Sequence, residues 1–174
     1  MKGKEYADLI AAYVLHNFGD RDITVYREVP VGKSIIGKNR RVDIFMVHEQ
    51  SNKAFAIECK FQESTGTTDE KIPYALDDMH ALRLAGCIVY AGTGFSTGVL
   101  HLLAGSHLAA FCQPDPRNLS ASKRTWELDH ILAMHFGWWD ILTRDKIPFR
   151  LDAASEDEDF DPNQRTLFDA PLNE

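Results

Sequence analysis

The sequence predicts an α/β domain, a mixed β-sheet flanked by helices, followed by a flexible C-terminal tail. Three observations point there: a helix-period apolar stripe at the start, period-two segments split by polar turns, and a strand–helix–strand unit after them. At 174 residues, 44% of them hydrophobic and 26% charged, the chain suits one globular domain with a sizeable core.

Tyr6, Leu9, Ile10, Tyr13, Val14 and Phe18 recur at helical spacing, so the first helix ends near Gly19. "DITVYREVPV" reads as a strand, bounded by the loop "GKSIIGKNRR". "VDIFMV" and "AFAIECKF" are two further strands joined by the polar turn "HEQSNK". After the loop "ESTGTTDE" a helix begins near Pro73, with Thr68 as N-cap, proline in the first turn, and Ile72, Ala75, Leu76 and Met79 on one face. "CIVYAG", a helix over Thr97 to Gly105 and "LAAFC" make a unit that lays two parallel strands side by side. A last helix covers Lys123 to Phe136, before "GWWDIL".

Charge divides the chain at residue 151. Eight acids and one base fall in 152–174, which leaves 18 acids and 18 bases in 1–151. The net charge of −7 therefore belongs to the tail, and the neutral remainder is compatible with a nucleic-acid partner. The expected organisation is a domain over 1–151 and an acidic, flexible tail over 152–174. No apolar run is long enough to cross a bilayer and "MKGKEYADLI" lacks a signal-peptide core, so the expectation is a cytoplasmic protein with no membrane partner. Cys59, Cys87 and Cys112 are odd in number and widely spaced among apolar neighbours, which suits reduced core thiols.

The chemistry concentrates in "AFAIECKFQ". Side chains alternate across a strand, so Phe55, Ile57, Cys59 and Phe61 take one face while Ala56, Glu58, Lys60 and Gln62 take the other. If "VDIFMV" pairs with it in a hairpin centred between Gln50 and Ser51, then Val42 opposes Cys59, Ile44 opposes Ile57 and Met46 opposes Phe55. That register also sets Asp43 opposite Glu58. Two like charges so close are destabilising unless a cation lies between them, and magnesium favours such hard oxygen ligands. The plain alternative is an exposed sheet face with Asp43 at a strand edge.

"VD" at Val42–Asp43 and "ECK" at Glu58–Lys60 resemble the split motif of the PD-(D/E)XK nuclease superfamily, with valine where proline often stands. The resemblance covers roughly Lys4 to Cys112 and implies a restriction-endonuclease-like fold. It also implies metal-dependent hydrolysis of phosphodiester bonds, usually in DNA, with Mg²⁺ (Mn²⁺ may substitute) held by Asp43, Glu58 and the carbonyl of Cys59. Lys60 would orient the attacking water or stabilise developing charge, and Gln62 extends the charged face, as a glutamine does in members reading E-X-K-X-Q. Members often carry a metal-holding glutamate on the first helix, and Glu5 lies in that element; it reads equally well as a helix-start glutamate favoured by the dipole.

Lys33, Lys38, Arg40 and Arg41 crowd the loop leading into Asp43 and are candidate contacts to a phosphate backbone, or else simply a solvated hairpin loop. "GTGFSTG" fits neither the dinucleotide fingerprint nor a phosphate-binding loop and reads as a tight strand-to-helix turn. In the tail, "QRTLF" resembles the peptide by which bacterial proteins bind the sliding clamp, with Gln164 orienting and Leu167 and Phe168 filling a pocket; the same pair suits docking back on the domain. The competing readings are a non-catalytic DNA-binding or assembly module of the same fold, and a restriction endonuclease acting as a homodimer.

Overall fold

A computed structural model describes residues 1–64 and 68–151. The tail over 152–174, with Gln164, Leu167 and Phe168, and residues 65–67 of the "ESTGTTDE" loop lie outside the described residues. By contacts the chain divides into two units, Met1–Arg144 and Asp145–Glu174, the described part of the second having no helix or strand.

The first unit runs α1 (Gly3–Phe18), β1 (Ile23–Lys33), β2 (Asn39–His48), β3 (Lys53–Phe61), α2 (Thr68–His80), β4 (Gly86–Ala91), α3 (Thr97–Ala104), β5 (Ala109–Phe111), α4 (Trp126–Phe136) and α5 (Trp139–Thr143). The five strands form one sheet in chain order. β1, β2 and β3 pair antiparallel; β3, β4 and β5 pair parallel. The mixed sheet with flanking helices is thus present.

Each face of the sheet has its own core. Tyr6, Ile10, Tyr13 and Val14 of α1 and Leu128, Leu132 and Phe136 of α4 share one cluster with Ile44, Met46, Phe55, Ile57 and Cys59. Ile72, Leu76 and Met79 of α2 and Leu103 of α3 share the other with Ile88 and Tyr90. Cys87, Val89 and Ala91 of β4 join the first cluster, so β4 is covered on both faces and reads as an unbroken apolar run, as a central parallel strand must. All three cysteines are free and buried.

Several boundaries differ from expectation for identifiable reasons. β1 and β2 reach into the presumed loop, so Lys33, Arg40 and Arg41 stand on strands and only Ser34–Lys38 turns the chain. α2 begins at Thr68, which places Pro73 in its second turn instead of its first. Proline there removes one backbone donor, a loss that burial of Ile72, Leu76 and Met79 offsets. α5 follows Gly137, whose φ of +79° ends α4 in the left-handed region; the sequence assigned no element to "GWWDIL".

Candidate active site

The hairpin register is the expected one from Ile44↔Ile57 through Met46↔Phe55 to His48↔Lys53. The ladder ends at Ile44↔Ile57, one residue short of Asp43. There the Asp43 carboxylate takes over a backbone role: its Oδ2 accepts the Cys59 N–H at 2.7 Å. Ala56 and Gln62 donate their amides to Ala85 and Ala91 on the β4 side. By the alternation of a strand, the N–H and C=O of Cys59 face the β2 side instead, toward Asp43. Arg27 of β1 donates from Nε to the Asp43 carbonyl at 2.8 Å, fixing the same residue from the opposite edge.

Glu58 and Lys60 share the second face of β3, each side chain about a quarter exposed, and Lys60 Nζ donates to Glu58 Oε1 at 2.7 Å. Burial pushes the Glu58 carboxyl above its ordinary range; Lys60 pulls it down and the Asp43 charge pushes it up again. Asp43 and Glu58 are not ladder partners, because the ladder ends at Ile44↔Ile57. Gln62, on the same face, is buried and donates to the Gly94 carbonyl at 2.7 Å and to Asp69 Oδ1 at 3.2 Å, so it ties the end of β3 to α2 and to the turn after β4.

That turn needs its glycines. A Cβ on Gly92, where φ is +110°, would lie 2.0 Å from the Gln62 carbonyl oxygen, and one on Gly94 would lie 2.6 Å from the Ser64 backbone. "GTGFSTG" is the tight strand-to-helix turn expected, with Ser96 capping α3 by accepting from Val99 N–H.

Glu5 lies in the first turn of α1. It is exposed, and its Oε2 accepts the Lys2 backbone N–H at 2.8 Å in a capping box at the start of α1. Among the described residues no group of three or more His, Cys, Asp and Glu side chains is gathered closely enough to hold a metal. The donors that Asp43, Glu58 and Cys59 would offer are two carboxylates and a backbone carbonyl. That set suits an ion that keeps several waters; burial is the main cause of the raised Glu58 carboxyl, and a cation beside it would favour the charged form.

The basic residues separate into two kinds. Lys33, Lys38 and Arg41 are exposed on the β1–β2 hairpin. Arg40 is 8% exposed, and its guanidinium is committed to Asp78 of α2, with Nε 3.1 Å from Asp78 Oδ2 and Nη1 donating to the Asp78 carbonyl. The hairpin, Glu58, Lys60 and the Lys71, Tyr74 and Asp78 side of α2 enclose a cleft of ≈ 450 Å³. Lys71, Tyr74 and Asp78 escaped the sequence reading. Their spacing marks one helix face, but nothing local tells which neighbour that face meets.

The family model of a PD-(D/E)XK nuclease superfamily domain matches residues 2–139. The chain belongs to this superfamily. In this superfamily member, Val42–Asp43 and Glu58–Lys60 are the stretches that resemble the split motif in sequence. A repair endonuclease from Pyrococcus abyssi is a similar solved structure, 16% identical with a TM-score of 0.35; the match covers 59% of this chain and 44% of that one, so the chain spans less than half of that protein's length. No curated protein matches the chain.

Proposed function

We propose that the protein is a Mg²⁺-dependent deoxyribonuclease, with Mn²⁺ able to substitute, acting in replication, repair, recombination or defence. The observation that carries this reading is the convergence of Asp43 and Glu58 at the open end of the β2–β3 ladder, with Lys60 bonded to Glu58. Asp43, Glu58 and the Cys59 carbonyl would hold the ion. When bound, it supplies positive charge to the phosphate and lowers the pKa of a water. Asp43 stays oriented because the Cys59 N–H and Arg27 fix it from two sides. Lys60 exchanges its Glu58 contact for the phosphate oxygens or the water and holds charge in a site only partly open to solvent. Lys33, Lys38 and Arg41 line the approach for a phosphate backbone; Gln62 acts by holding the turn after β4.

The motif in the tail supports recruitment by a bacterial sliding clamp through Gln164, Leu167 and Phe168, on sequence alone. The test is incubation of the full chain with Mg²⁺ or Mn²⁺ and linear, circular, single-stranded and branched DNA, beside Lys60→Ala and a chelator control. Cleavage lost in both controls supports the nuclease. DNA binding without cleavage, with or without a clamp, favours the assembly module, and cleavage at one sequence by a homodimer favours the restriction enzyme. None of the described helices is long and apolar enough to cross a membrane.

A further inference from the structure

The tip of the β1–β2 hairpin carries two neighbouring isoleucines in the open, Ile35 47% exposed and Ile36 60% exposed. Exposed apolar side chains are common singly, and Leu15 and Met134 of this chain are others. The hairpin pair differs in three ways. Its backbone is locked: Ser34 N–H donates to the Lys38 carbonyl and Gly37 N–H to the Ser34 carbonyl, both at 2.8 Å, while Ile35 N–H donates to Asp78 Oδ1 at 2.9 Å. Its flanks are cationic, with Lys33, Lys38 and Arg41 exposed around it. Finally, Ile36 lines the same cleft as Glu58, Lys60 and Tyr74.

We propose that Ile35 and Ile36 form a rigid wedge that enters between base steps at a junction of paired and unpaired DNA, delivering the adjacent strand to the Glu58–Lys60 cleft. An apolar side chain inserted into a stack unpairs it only if the loop behind it does not yield, and the buried Arg40–Asp78 pair supplies that stiffness. The cations hold phosphates on either side, and Tyr74, 37% exposed on the cleft wall, offers an aromatic face to the displaced base. The substrate class is DNA with a splayed end or branch instead of continuous duplex. This inference rests on the nucleic-acid reading above.

The test uses the full chain without divalent cation, so that nothing is cleaved, and forked DNA carrying 2-aminopurine at the junction or in the paired arm. Binding, followed by anisotropy, should raise junction fluorescence by about twofold or more, as unstacking does, and leave the arm unchanged. Ile35→Ser with Ile36→Ser should abolish that rise while affinity, set by phosphate contacts, stays within about threefold. Both side chains are exposed, so the variant keeps its fold, which circular dichroism verifies. Tight binding without a fluorescence rise, or a rise that survives the double substitution, overturns the wedge. Loss of dimer mass on sedimentation in the variant, with no rise in the unaltered chain, reassigns the patch to a contact between copies and also overturns it. Absence of any DNA binding sinks the nucleic-acid reading together with the wedge. A fluorescence rise without cleavage once Mg²⁺ is added leaves the wedge standing and removes the nuclease.

Discussion

The Asp43 carboxylate accepts the backbone N–H of Cys59 at 2.7 Å, one residue beyond the last ladder pair of the β2–β3 hairpin. A side chain here does the work of a strand backbone, and the same side chain is a candidate metal ligand. The two roles separate by substitution. Asp43→Asn keeps an acceptor for Cys59 and should leave the thermal midpoint nearly unchanged while abolishing Mg²⁺ binding by calorimetric titration. Asp43→Ala also orphans the Cys59 N–H and should cost a further ~1–3 kcal/mol in denaturant unfolding.

Lys60→Ala removes a cation whose one polar side-chain partner among the described residues is Glu58. Cleavage should fall by about 10²-fold or more with DNA affinity little changed, because its charge acts on the transition state. Lys60→Arg retains charge but not the compact ammonium and should recover only part of the rate in single-turnover kinetics.

Glu58 couples pH to stability. Its folded pKa lies above the ordinary 4.5, so the protonated form favours folding; that contribution is full below 4.5 and is lost as pH rises through the elevated value. The metal-free chain should therefore lose stability over that window. Glu58→Gln should remove the loss and raise the melting temperature at neutral pH, yet eliminate metal-dependent cleavage. A lower melting temperature for Glu58→Gln at neutral pH would contradict the burial argument.

Arg40 and Asp78 bind β2 to α2 inside the protein. Asp78→Ala leaves a buried guanidinium unpaired and releases Ile35, and should destabilise the fold by about 3 kcal/mol or more in urea unfolding. If Arg40 instead met phosphate, Arg40→Ala would weaken DNA binding and flatten its salt dependence at unchanged stability; Arg41→Ala is the variant expected to behave that way.

Gly92→Ala places a methyl group into the Gln62 carbonyl at a positive φ. Expression of folded protein should drop sharply, with a penalty of about 3 kcal/mol or more by unfolding, since both the contact and the backbone are strained.

The alternation of "AFAIECKFQ" and the short polar turn before it made the strand faces and hairpin register legible, because both depend on residues within about ten positions of one another. The parallel β4–β5 pair was legible for the same reason, through its compact strand–helix–strand unit. The limits of that logic appear at Arg40. Its sequence surroundings, three other bases and a loop signature, mark it as a phosphate contact, whereas the fold spends it on an aspartate 38 residues away. Glu5 stands in the first helix and accepts the Lys2 N–H at its start, as its helix-start reading expects.

The sequence by itself determined which strands form, which face of β3 is charged and the hairpin register from Ile44↔Ile57 to His48↔Lys53, since local periodicity and turn length decide those. Only the tertiary structure decided that α2 turns Lys71, Tyr74 and Asp78 toward that face, that Gln62 locks the glycine turn, and that Asp78 ties the hairpin to α2 beside the cleft. Those relationships depend on which side chains remain to satisfy buried charges and carbonyls after the sheet and helices have packed, and no local pattern encodes that.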